Sequence, residues 1–292
     1  MAYKNFNNFN NFNNFNKDKP RRAEAKRGKP DYRKHKPELE KKLNEQQSVP
    51  DDVCWGRQPV LDLVRDNPAK CARLLIANNV RPPYLDELTD LARKGKVVYQ
   101  LVAPEALEKL CAGEHHQGVA CRLNYAKPVE LDEFIKSLDL KQANLFIVTD
   151  HIEDPHNLGA IARSAEAAGA AAVIYSKRRS ALAGGTVVKT SAGAALRIPM
   201  IAVVNITRAL EQLKAANFWC IGLDANTGED LFNYDLPDNT ALVVGAEGDG
   251  LARLVKETCD SLVKINIAGK TGSLNASVAA ALGMFEWRRK RI

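Results

Sequence analysis

The residues of this chain best suited to chemistry fall into three short clusters. Ser273-Leu274-Asn275-Ala276-Ser277-Val278 follows a β-branched run and a loop, Ala268-Gly269-Lys270-Thr271-Gly272, and opens the last apolar-periodic segment. Asn157-Leu158-Gly159 runs on to Arg163, and Gly245-Ala246-Glu247-Gly248-Asp249-Gly250 follows a valine-rich run. Amides that donate and accept, a carboxylate, a permanent cation and a hydroxyl thus sit where helices begin. A helix start leaves backbone N–H groups free for a ligand. Three such loops in one α/β segment point to one shared binding site. Each residue also has a plainer reading: Asn157, Asn275 and Ser273 suit helix capping, Arg163 a surface ion pair, Glu247 a loop brace, and any single glycine a turn.

The elements that must position these clusters follow from periodicity. Residues 145–149, 172–175, 200–204, 218–223, 241–244 and 262–267 read as strands. Helices are expected over 158–168, 206–216, 251–258 and 274–288. Alternating strands and helices, with continuous apolar strands, predict a parallel sheet covered on both faces. Ligands on such sheets sit at the carboxyl ends of the strands, where all three clusters lie. Upstream, helices at 59–66, 86–93 and 104–111 alternate with strands at 73–77, 97–101 and 118–123, a small α/β unit. The expected organisation is a tail over 1–50, an α/β domain over 51–125, a linker with a short helix over 126–143 and the main domain over 144–292.

Composition narrows the partners. The net charge of +7 belongs to residues 1–50, with thirteen Lys and Arg against six Asp and Glu; the remainder carries twenty-nine of each. The tail repeats Asn-Phe-Asn and then turns Lys/Arg/Pro-rich, a composition too poor in apolar surface to fold, so disorder is expected. A cationic tail on a neutral body points to a polyanion, RNA or DNA before membrane, or to a solubilising role alone. Its phenylalanines could stack on unpaired bases. No apolar run is long enough to span a bilayer, and no secretory signal is evident. Six cysteines without regular spacing predict reduced thiols in a cytosolic protein. His115-His116 has no companions at metal spacing, so no metal is expected.

Two familiar motifs fail. Gly269-Lys270-Thr271 resembles the end of an ATP-binding loop, but the glycine that loop needs five residues before Gly269 is Lys264. Gly248-Asp249-Gly250 resembles the start of a dinucleotide fingerprint, but its third glycine would fall at Arg253. A nucleotide-dependent oxidoreductase is therefore set aside.

Together the three clusters resemble the signature motifs of the SpoU/TrmH family of RNA ribose 2′-O-methyltransferases, within the SPOUT superfamily. The motifs are Asp154-Pro155-His156-Asn157-Leu158-Gly159 with Arg163, then Val244 to Gly250, then Ile265 through Val278. The resemblance covers roughly residues 145–290, in the family's order. Residues 53–123, with His115-His116-Gln117-Gly118-Val119, resemble the family's substrate-binding domain. The body is most similar to the subgroup that methylates a guanosine of large-subunit ribosomal RNA. The resemblance implies a deep trefoil knot, which general rules of chain topology disfavour, and a homodimer packed through it. Asn266, where relatives often have proline, and His151, where they often have a small or polar residue, are departures expected to mark subgroup rather than chemistry.

The resemblance also implies roles. S-adenosylmethionine would be the methyl donor, held bent by main-chain groups of Gly245, Ile265 and Leu274, with glycines at 245, 248 and 269 letting the backbone come close. Family mechanisms often make Arg163 the base, yet a guanidinium stays protonated, so an electrostatic clamp on the alkoxide or a phosphate suits it better. Lying six residues apart on one helix, Asn157 and Arg163 are expected to reach one site. Asn157 and Asn275 would orient Arg163 and the ribose, Glu247 would pair with Arg or organise its loop, and Ser273 would contact substrate. The proton acceptor stays open. Competing readings are a transfer-RNA methyltransferase and a non-catalytic RNA-binding or ribosome-assembly protein; the retention of all five polar residues argues against the second.

Overall fold

The computed structural model describes residues 49–124, 129–177, 184–227 and 229–291. All but the last two residues of the expected disordered tail lie outside that range. The first elements are β1 (Val53–Trp55), α1 (Arg57–Asp66), β2 (Cys71–Ala77), α2 (Tyr84–Lys94), β3 (Tyr99–Val102), α3 (Pro104–Leu110) and β4 (Val119–Leu123). They form a four-stranded sheet in the order β1-β4-β2-β3. β4 runs antiparallel to β1 and β2, while β3 is parallel to β2. In α2, Leu88 and Ala92 lie one turn apart and face the core, with Asp86 and Glu87 in its first turn and Arg93 and Lys94 in its last. Both ends of the helix dipole are thereby complemented.

The second set is α4 (Leu131–Ser137), β5 (Asn144–Thr149), α5 (Pro155–Ala168), β6 (Ala172–Ser176), α6 (Gly185–Thr190), α7 (Ala194–Arg197), β7 (Met200–Val203), α8 (Ile206–Ala215), β8 (Trp219–Leu223), β9 (Asn239–Val244), α9 (Arg253–Thr258), β10 (Ser261–Val263) and α10 (Ala276–Arg289). Six strands pair in the order β10-β8-β9-β5-β6-β7, every pair parallel. The expected parallel α/β sheet is present. Along β5, Leu145 and Ile147 join one core while Phe146 and Val148 join the other, the period-two alternation of a strand buried on both faces. Phe146 meets Phe218 edge-on with ring centroids 5.0 Å apart. The chain leaves β5 toward β6 and β7 on one side, while β9, β8 and β10 fill the other. Strand order thus reverses between β5 and β9, and that reversal opens a crevice at the carboxyl ends.

The two sheets dock closely. The Gly185 N–H donates to the Asp51 carbonyl at 2.6 Å, and a Cβ on Gly185 would lie 1.6 Å from the Val53 carbonyl oxygen. Lys189 places its Nζ 4.6 Å from the centre of the Trp55 ring and 3.0 Å from Glu114. One continuous apolar core includes β1, α6 and α5 residues. All six thiols are free and five are buried; burial pushes Cys54, Cys220 and Cys259 up to about 12.

Three local expectations are corrected. The last strand ends at Val263, not Ile267, because its ladder partner β8 ends at Leu223. Lys264 instead bonds the Glu229 carbonyl and the Leu231 N–H. The last helix starts at Ala276, two residues late, because Asn275 caps it. Helices α6 and α7 lie in a stretch that periodicity left unassigned; Gly184-Gly185 and Gly193 bound them too tightly for a long apolar repeat.

Candidate functional site

Two cavities lie side by side over the carboxyl ends of the sheet. The first opens among the ends of β8, β9 and β10, and its wall includes Asp224, Gly245, Ile265, Ser273 and Leu274. The second occupies the switch point between β5 and β9, walled by His151, Glu153, Asp154, Asn157 and Leu251. Ala246, Glu247, Asp249 and Gly250 belong to both, so the loop after β9 is the partition between them.

Asn275 ties the three loops together with one side chain. Its Oδ1 accepts from the N–H groups of Ser277 at 2.9 Å and Val278 at 3.4 Å, closing the start of α10. Its Nδ2 donates to Asn157 Oδ1 at 2.9 Å and to Glu247 Oε2 at 3.3 Å. The amide's acceptor is spent on the helix and its donors on the two neighbouring loops. An aspartate could cap the helix equally well, but it would set a second carboxylate against Glu247 and lose both donors. Asn157, Glu247 and Asn275 are therefore brought together as the three-loop pattern predicted.

Other predicted roles change. Asn157 does not cap α5; Asp154 does, accepting the His156 N–H at 2.8 Å, with Pro155 in the first turn. That leaves Asn157 free to turn into the second cavity. Ser273 does not cap α10, yet it lines the first cavity. Arg163 does not join Asn157: six residues on an α-helix advance about 240°, and Arg163 stands exposed, with no hydrogen bond or ion pair to any described residue. Of the glycines, Gly245 is a steric necessity, since a Cβ there would lie 2.1 Å from the Gly250 carbonyl carbon. Gly248, at φ 93°, and Gly269 have open space around them and make no close approach.

Two carboxylates outside the three motif clusters, Asp150 and Asp224, brace these loops. Asp150 is buried; its N–H donates to the Val244 carbonyl and its Oδ2 accepts from the Ala252 N–H, both at 2.8 Å. Its Oδ1 lies 2.6 Å from His151 Nδ1. Asp224 lies 2.6 Å from Lys256 Nζ; burial alone would raise its carboxyl, but Lys256 and the Asn226 N–H outweigh that and hold it below the usual range. Both residues directly follow the last residue of a strand, a position that carries a sequence signal on any parallel sheet.

Comparison with known proteins bears on this geometry. Residues 144–285 match the model of the SpoU rRNA Methylase family, and residues 53–129 match an RNA 2′-O ribose methyltransferase substrate binding model. The TrmH family protein YacO of Bacillus subtilis is 40% identical over 241 residues, which are 82% of this chain and 96% of YacO. The chain belongs to the SpoU rRNA methylase family. The 23S rRNA (guanosine-2′-O-)-methyltransferase RlmB of Xanthomonas campestris is likewise 40% identical, over 81% of this chain and 96% of that protein. Among solved structures, the SpoU methyltransferase AviRb of Streptomyces viridochromogenes, in complex with the cofactor AdoMet, shares the fold. Its TM-score is 0.70 at 24% identity, covering 82% of this chain and 89% of that one. An AdoMet-bound rRNA methyltransferase from Sinorhizobium meliloti superposes with a TM-score of 0.69 at 21% identity, over 87% and 91% of the two chains. As a SpoU family member this protein is an S-adenosylmethionine-dependent RNA methyltransferase.

Proposed function

We propose that the protein transfers a methyl group from S-adenosylmethionine to the ribose 2′-hydroxyl of a guanosine in large-subunit ribosomal RNA. The observation that carries this reading is the Asn275 bridge: one amide joins Asn157 and Glu247 at the wall shared by the two cavities. The ribosomal target is supported by the 40% identity to a 23S rRNA guanosine methyltransferase.

The first cavity fits the donor. Leu223, Val244, Val263 and Leu274 give apolar walls for an adenine, and Glu247 and Asp249 bring carboxylates to a cationic ligand. When bound there, S-adenosylmethionine supplies an electrophilic methyl on a sulfonium. Main-chain groups of Gly245, Ile265 and Leu274 hold its adenosine. Asn157, positioned by Asn275, orients the ribose in the second cavity, and Ser273 contacts the RNA. Arg163, exposed and outside both cavities, clamps a phosphate of the bound RNA. Two copies pair through α10, where Val278 and Phe285 stand exposed two turns apart on one face. The trefoil knot belongs to the same reading, with α10 packed back against α5 and β9.

The test is transfer of radiolabel from S-adenosylmethionine to ribosomal and transfer RNA, followed by alkaline hydrolysis. A 2′-O-methyl blocks cleavage at its own nucleotide, so label in an alkali-resistant dinucleotide from ribosomal RNA is expected. Label in mononucleotides would mean base methylation. Label confined to transfer RNA would move the target but keep the chemistry.

A further inference from the structure

We infer that His151 is the proton acceptor for the ribose 2′-hydroxyl, held in place by the buried carboxylate of Asp150. The inference rests on the ribose-methyltransferase reading and assigns a step that reading leaves open. His151 Nδ1 lies 2.6 Å from Asp150 Oδ1. Asp150 cannot swing away, because it is buried and its other oxygen is engaged by the Ala252 N–H. The neutral ring therefore carries its hydrogen on Nδ1 and presents Nε2 as an acceptor. The His151 side chain is 45% exposed and lines the second cavity beside Asn157 and Glu247. Its backbone sits at φ 57°, a left-handed conformation that a residue with a Cβ adopts at a cost.

Charge separates this role from phosphate binding. The ionisable groups walling the cavity around His151 are Asp150, Glu153 and Asp154 from its own loop and Glu247 and Asp249 from the loop after β9. All are carboxylates. They disfavour a phosphate in direct contact with the His151 ring. Arg163, which stays protonated, cannot take the 2′-hydroxyl proton. In the step, the 2′-O–H bond breaks and its proton goes to Nε2. The oxygen pair forms the O–CH₃ bond while the carbon–sulfur pair stays on sulfur, leaving a neutral thioether. The imidazolium, paired with Asp150 and partly exposed, then returns its proton to water.

The experiment compares the wild type with His151→Gln and His151→Gly on large-subunit ribosomal RNA lacking the modification. Glycine suits the left-handed backbone, so that variant keeps the fold. Expected are a fall of about 10²–10⁴-fold in single-turnover rate, an unchanged calorimetric affinity for S-adenosylmethionine, and loss of the wild type's decline at acid pH. Added imidazole restores the rate of His151→Gly in proportion to its concentration. Independently of turnover, RNA protects His151 from carbethoxylation by diethyl pyrocarbonate. Variants that keep the wild-type rate and pH profile, or a His151 equally modified with and without RNA, overturn the assignment. A wild type that places no 2′-O-methyl on any RNA overturns the parent reading, and the assignment falls with it.

Discussion

The centre of the six-stranded sheet and the β3 edge of the four-stranded one use their apolar residues in opposite ways. In the six-stranded sheet, β5, β6 and β9 are buried almost throughout, with helices on both faces. In the four-stranded sheet, β3 is an edge strand; Tyr99, Gln100 and Leu101 are exposed, Leu101 by 55%. Parallel crossovers force helices onto both faces of the first, whereas the mixed sheet can leave an edge and a face to solvent. The difference separates two jobs. The large sheet is a base that aims three loops at one place, and the small one leaves the β3 edge open to solvent.

The comparison is sharpest in paired substitutions. Phe146→Ala, in the centre of β5, is expected to cost about 3–5 kcal/mol of unfolding free energy in denaturant titration. Leu101→Ala on β3 should stay within about 0.5 kcal/mol. Similar losses at both sites would erase the distinction between base and surface. Arg163→Ala is expected to lower methyl transfer by about 10²–10³-fold, with calorimetric affinity for S-adenosylmethionine unchanged; lost affinity would make Arg163 a structural residue. Deleting residues 1–50 should weaken RNA binding several-fold and flatten its salt dependence, because counterion release scales with the cations engaged. An unchanged slope of affinity against salt would sink that role for the tail. Asn275→Ala removes the cap of α10, expected to cost about 1 kcal/mol, while Asn275→Asp keeps the cap and loses the bridge. An equal loss of activity in the two variants is the expected result; an active aspartate variant would show that the bridge to Asn157 and Glu247 is dispensable.

Much of this was legible in the residues. Most strand and helix types along 53–123 and 144–289, though not β1, α6 and α7, follow from apolar periodicity, because burial on one or both faces imposes it directly. The convergence of Asn157, Glu247 and Asn275 followed from three loops at the carboxyl ends of one sheet. Side-chain direction was harder. Asn157 and Arg163 share a helix, yet their angular separation sends one into the cavity and leaves the other on the surface.

The sequence alone determined the alternating α/β plan, the charge of the first fifty residues, and the three loops with their polar groups, since these depend on local composition and short-range periodicity. Only the tertiary structure decided which side chains cap and which face the cavities. It also decided that strand order reverses between β5 and β9, that the Ala252 N–H braces Asp150, and that α6 locks against β1 at Gly185. These depend on contacts between residues far apart in the chain, where packing and exclusion of water choose among options that local sequence leaves equal.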